Sequence, residues 1–118
     1  MIQKLSVFDE AWPLERPFAI SRGVKTEAHV VVAEIHTDQA KGRGECVPYA
    51  RYDETVHGVI EQITMQSDLI ETGVDNYKLA QQMPAGAARN ALDAALWDLR
   101  AKITGQRVWD LLEIPEPL

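Results

Sequence analysis

The spacing of apolar residues changes character near residue 50. Residues 2–12 mix Ile2, Leu5, Val7, Phe8 and Trp12 with polar side chains and read as a strand. Pro13 and Pro17 then interrupt the ladder, which predicts a strand end or an edge position. Arg22-Gly23-Val24-Lys25 reads as a polar loop. Residues 28–36, short and rich in β-branched side chains, carry the strongest strand pattern of the chain. Asp38-Gln39-Ala40-Lys41-Gly42 has turn composition, and Gly44-Glu45-Cys46-Val47 reads as a short returning strand stopped by Pro48. Neighbouring strands joined by short turns predict an antiparallel three-stranded meander.

Beyond that point the period becomes helical. Val56, Val59, Ile60, Ile63 and Ile70 mark one face of a helix over 54–70, with Asp53 as its expected N-cap and Gly73 just past its end. Asp75 is placed to cap a short helix that runs to Met83 and stops at Pro84. The strongest helical pattern spans 86–104, where Leu92, Leu96, Leu99 and Ile103 repeat at helical spacing. Its alanines add propensity and permit close packing, and Gly105 ends it. A last short helix is expected at 107–112. Strands followed by a helical bundle make the expected fold class α+β.

Composition narrows the class. With 118 residues, 46% of them hydrophobic and 25% charged, the chain has the content of one globular domain and is too short for a complete barrel of eight βα units, which needs roughly 200 residues. The net charge of −6 lacks the basic footprint of a nucleic-acid binder and suits an anionic membrane surface poorly. No run reaches the ~18 apolar residues of a membrane span. Asp9 and Glu10 arrive before any long apolar run, so no secretory signal is read at the start. The single cysteine, Cys46, allows no intrachain disulfide, and a cytoplasmic setting is expected.

Most candidate chemistry weakens on inspection. Gly42-Arg43-Gly44 has no third glycine and no following helix, so a β-turn is favoured over a phosphate loop. Cys46 beside Val47 reads as a buried structural thiol rather than a nucleophile. His29 and His36 are an odd number of residues apart on one strand and face opposite sides, and His57 adds no ligand spacing. Glu34 and Glu45 form an acid–base pair only if the sheet joins them; otherwise each is a solvated or hydrogen-bonded carboxylate. Asp93 and Asp98 lie on different helix faces and read as hydrogen-bonding groups, and Trp97 and Trp109 as packing groups. Two loops remain. Ile20 to Lys25 carries the cations Arg22 and Lys25, and Pro48 to Tyr52 alternates Tyr49, Arg51 and Tyr52. Arg22 and Arg51 suit a substrate carboxylate and the tyrosines suit an apolar wall, with solvated loop residues as the plain alternative.

Residues 88–112 resemble the signature helix of the mandelate racemase and muconate lactonizing enzyme group of the enolase superfamily. Ala88, Asn90, Ala91, Leu92, Asp93, Ala94, Ala95, Asp98, Leu99, Ala101 and Lys102 fit that pattern, as do Val108, Leu111 and Leu112. Arg107 and Glu113 depart from it, where a small residue and a glycine are usual. Glu10-Ala11-Trp12-Pro13-Leu14 with Arg22-Gly23, Gly44 to Tyr49 with Arg51-Tyr52, and Met83 to Asn90 look like the dipeptide (L-Ala-D/L-Glu) epimerase branch.

The resemblance implies an N-terminal capping domain over 1–112, with 113–118 beginning a linker to a (β/α)7β barrel absent from this chain. It implies an isomerase that removes and returns an α-proton, with its lysines and its Mg2+ ligands in the barrel. This chain would then hold no catalytic residue and no metal ligand, and would be inactive alone. Ile20, Arg22, Lys25, Tyr49, Arg51 and Tyr52 are the implied substrate-binding set, with a dipeptide and the chain's own barrel as partners and self-association expected. Caps of a muconate cycloisomerase or o-succinylbenzoate synthase are the neighbouring alternatives. A free-standing α+β interaction module is the alternative of another class, and it predicts no large apolar patch.

Overall fold

Alternation of side chains about a pleat organises the first half of the chain. In the computed structural model, which describes residues 3–21 and 23–118, three antiparallel strands lie in the order β1 (Lys4–Ile20), β2 (Gly23–His36) and β3 (Lys41–Cys46). Val31 pairs with Cys46, Ala33 with Gly44 and Ile35 with Gly42, while Leu5 and Val7 oppose Ile35 and Ala33 across the other ladder. These residues share one face, and helices cover it. The α+β fold expected from the sequence is what the chain forms.

The strand ends differ from the expected ones. Pro13 and Pro17 do not end β1. The strand continues to Ile20, and the register slips between Pro13 and Phe18 instead. Prolines that cannot donate are tolerated because β1 is an edge strand and the slip leaves residues 14–17 out of the ladder. The supposed loop 22–25 is likewise mostly strand, with Phe18 opposite Lys25 and Ala19 opposite Val24. The two strands therefore form a long hairpin that projects past the core. Gly42, expected in a turn, lies within β3.

Five helices follow: α1 (Val56–Thr64), α2 (Ser67–Glu71), α3 (Asn76–Gln82), α4 (Ala87–Thr104) and α5 (Val108–Leu111). The expected helix over 54–70 is two. It breaks at Met65-Gln66, where Ser67 Oγ donates to the Thr64 carbonyl at 2.7 Å. Its N-cap is Thr55, whose Oγ1 accepts the Gly58 N–H at 3.0 Å, and not Asp53, which stands in the left-handed region at φ 58°. Asp75 caps α3 as expected by accepting the Lys78 N–H at 2.7 Å, and Gly105 closes α4 at φ 69°.

The core joins Val31, Ala33 and Ile35 of the sheet to Val59, Ile63, Ile70, Leu79, Leu92 and Leu99 of the helices. α4 crosses β3 at very short range, because Gly42 and Gly44 carry no Cβ. A Cβ built at Gly44 would fall 2.0 Å from the carbonyl oxygen of Ala91, and one at Gly42 would fall 2.2 Å from that of Ala95. The helix also covers the free edge of β3: Asp98 Oδ2 accepts the Arg43 N–H at 2.8 Å, and Lys102 Nζ donates to the Lys41 carbonyl at 2.9 Å. An edge whose donors and carbonyls are occupied resists pairing with another chain.

Candidate functional site

Two stretches that the sequence keeps separate meet beside the sheet. The projecting hairpin supplies Phe18, Ile20, Val24 and Lys25. The segment after β3 supplies Val47, Pro48 and Tyr49 and then makes a single 3-10 turn at Ala50–Tyr52. Between them lies an open cleft of about 900 Å³. Its exposed lining is mainly apolar: Phe18, Val24 and Val47 are each more than half accessible. The side chains of Lys25, Arg16 and Arg51 form no ion pair among the described residues. A second space, of about 530 Å³, opens between Tyr49, Tyr52 and the start of α4. Tyr49 borders both. Its ring lies 5.5 Å from that of Tyr52 at 52°, a tilted aromatic pair.

Among the expected site residues, Ile20, Lys25 and Tyr49 share the larger cleft, and Tyr49 and Tyr52 share the smaller. Arg51 is exposed and borders neither. Arg22 lies outside the described residues. Sequence reasoning missed Phe18 and Val24, since their region was read as proline-interrupted or loop. It also missed Glu54, whose carboxylate accepts the N–H groups of Tyr49 and Ala87.

Other candidates resolve into structure. Glu34 accepts from Arg43 Nη1 at 3.1 Å and lies within 3.7 Å of Lys41 Nζ, while Arg43 Nη2 donates to Glu10 at 2.7 Å. Glu34 is thus held in an ion-paired cluster, and Glu45 lies opposite Val32 rather than Glu34. His29 pairs with Glu27 at 2.9 Å and His36 with Glu34 at 3.2 Å. Asp93 accepts from Asn76 Nδ2 at 2.8 Å. Arg100 lies over the ring of Trp97, and Arg107 over that of Trp109. Among the described residues no three His, Cys, Asp or Glu side chains gather as a metal site. Among the described residues no helix is long and apolar enough to cross a membrane.

Cys46 is buried, and burial, reinforced by the nearby charge of Glu54, pushes its thiol up to about 11. It is protonated at neutral pH and shielded, the opposite of an activated nucleophile. An unfolded thiol ionises near 9.0, so above that pH unfolding releases a proton that the native thiol still holds. The thiol's contribution to stability is complete below pH ~9 and declines as pH rises toward ~11. The urea midpoint should therefore fall across this window more steeply in the native chain than in Cys46→Ala. Equal slopes in the two would show that the thiol is not shielded.

With the geometry in place, comparison with known proteins adds the lineage. Residues 2–113 match the model of the mandelate racemase / muconate lactonizing enzyme N-terminal domain. The chain belongs to this family. Its sequence is 47% identical over 116 residues to L-Ala-D/L-Glu epimerase of Escherichia coli K12, covering 98% of this chain and 36% of that protein. Its fold is similar to an Agrobacterium tumefaciens enolase family member with homology to dipeptide epimerases, solved with sodium and L-Ala-L-Glu. That match has a TM-score of 0.89 and 42% identity, over 96% of this chain and 35% of the other. The dipeptide epimerase of Enterococcus faecalis V583, solved with Mg and L-Leu-L-Tyr, matches at TM-score 0.78 and 26% identity, over 94% and 34%. The chain thus spans about a third of the length of the relatives it matches. Within the family's N-terminal domain the sheet and α4 form the frame, and the hairpin and the tyrosine loop are carried on it.

Proposed function

We propose that this family member is the substrate-selecting part of a cytoplasmic, Mg2+-dependent dipeptide epimerase. Residues 1–112 would close over a barrel domain, and 113–118 would lead toward it. The observation that carries the reading is the convergence of hairpin and tyrosine loop on one open cleft with an apolar wall and unpaired cations at its rim. An acidic dipeptide would suit the cations at that rim, Lys25 and Arg16. Lys25 would meet its side-chain carboxylate, Arg22 and Arg51 are the further candidates for that role, and Ile20, Tyr49 and Tyr52 would shape the space and exclude water. The relatives named for L-Ala-D/L-Glu and solved with L-Ala-L-Glu support that class of substrate. Removal and return of the α-proton would belong to residues outside this chain, which alone should be inactive.

The test joins this chain to the remainder of the E. coli relative. In that protein Arg22→Met, Lys25→Met or Arg51→Met should raise KM for L-Ala-L-Glu about tenfold with little change in kcat, as loss of one charge-assisted hydrogen bond does. If none of the three moved either constant for any acidic dipeptide, the assignment of these residues would be wrong.

The exposed apolar groups at the cleft also bear on the free-standing alternative. A surface meant to be covered should drive the isolated chain to self-associate. Sedimentation at several concentrations is expected to show association that Phe18→Ser with Val24→Ser weakens. A monomer at every concentration would favour the interaction module.

A further inference from the structure

The 3-10 turn gives the tyrosine loop its local shape but does not tie it to the helices, and Tyr49 borders both spaces of the site. What anchors it is one carboxylate. Glu54 Oε1 accepts the N–H of Tyr49 at 3.0 Å, and Glu54 Oε2 accepts the N–H of Ala87 at 2.8 Å. The Tyr49 carbonyl in turn accepts from the N–H groups of Tyr52 at 2.9 Å and of Glu54 at 3.3 Å. Both backbone polar groups of Tyr49 are thus engaged.

The second oxygen reaches an element that cannot easily shift. Ala87 is the first residue of α4, where backbone N–H groups lack intrahelical partners. Gly86 at the N-cap offers no side chain, and a carboxylate from 33 residues earlier takes its place. A negative group is favoured there by the helix dipole. The helix itself is pressed onto β3 through Gly42 and Gly44. A Cβ at Gly86 would lie 3.2 Å from Glu54 Oε2, so glycine at that position leaves the carboxylate its room.

We infer that Glu54 is a positioning residue: by bridging Tyr49 to the start of α4 it gives the wall of the cleft one fixed place relative to the sheet. Glu54 borders both spaces itself, but its two oxygens are taken up by the Tyr49 and Ala87 N–H groups, so its effect on the site runs through Tyr49. Only the kinetic arm of the following test rests on the dipeptide reading above.

Glu54→Gln is the informative variant, since an amide offers one oxygen to two N–H donors. In the 118-residue chain itself, the Tyr49 amide should exchange with solvent at least about tenfold faster, while Ala33 and Ile35 in β2 keep their protection. An unchanged Tyr49 amide would overturn the inference. Should Ala33 and Ile35 lose protection as well, Glu54→Asp, which keeps the charge but is one methylene shorter and cannot span both donors, decides instead. Faster exchange confined to Tyr49 supports the bridge, and none overturns it. Joined to the remainder of the E. coli relative, Glu54→Gln should raise KM for L-Ala-L-Glu about fivefold with kcat within about twofold. On a Tyr49→Ala background it should add nothing. Additive losses would mean that Glu54 does not act through Tyr49. If the parent joined protein turns over no dipeptide, the functional reading fails, and the exchange arm still decides the role of Glu54.

Discussion

Gly44→Ala should leave the chain largely unfolded under native conditions, a loss above about 4 kcal/mol against the roughly 5–15 kcal/mol that holds a domain together. The single added carbon would sit 2.0 Å from the Ala91 carbonyl oxygen and 2.6 Å from the Ala95 nitrogen. Both are backbone atoms of α4, so no rotamer change relieves the contact. The helix would have to lift from the sheet, which would open the core around Ala91, Leu92, Ala95 and Leu99. Trimming the neighbouring side chain by Ala91→Gly should not restore stability. Urea titration followed by far-UV circular dichroism reads this directly. A Gly44→Ala midpoint near that of the parent would refute the close approach of α4 to β3.

Arg43→Met should cost about 2 kcal/mol, the second large effect. On the face away from the helices, Arg43 bridges Glu10 and Glu34 while its guanidinium lies 5.9 Å from the centre of the Phe8 ring. Glu34 is the one buried charged residue among the described core positions, with only 8% of its surface accessible. Methionine would keep the packing over Phe8 and remove the charge, leaving Glu34 with the more distant Lys41 and with His36. The arginine is itself partly exposed, so solvent screens part of the effect and the value stays below that of a fully buried pair. Glu34→Gln in the Arg43→Met background should recover much of the loss, because the penalty is the unpaired carboxylate. Chemical denaturation of the two singles and the double closes the cycle. A double variant no more stable than Arg43→Met would show that packing, not charge, is what Arg43 contributes.

Legibility varied from element to element for physical reasons. Asp75 and Gly105 were readable because a cap and a left-handed terminus are local chemistry. The face Val59, Ile63 and Ile70 was readable as periodicity, but the break at Met65-Gln66 was not, since the apolar pattern runs through it. Pro17 was readable as an edge residue but not as one the strand would pass, because continuation depends on β2 lying alongside. Glycines 42 and 44 looked like a turn, and their cause, α4 behind them, lies some fifty residues later in the chain.

By itself, then, the sequence determined the order of strands and helices, which face of each is buried, the α+β class and the family carried by the 88–112 helix. Tertiary structure alone decided where the hairpin ends, that Ile20, Lys25 and Tyr49 border one space while Arg51 stands outside it, and that Glu54 holds the loop. The division follows from range. Burial of one face repeats along an element and leaves a period in the sequence. A contact between residues 33 or 55 positions apart, such as Glu54 with Ala87 or Arg43 with Asp98, occurs once and leaves none.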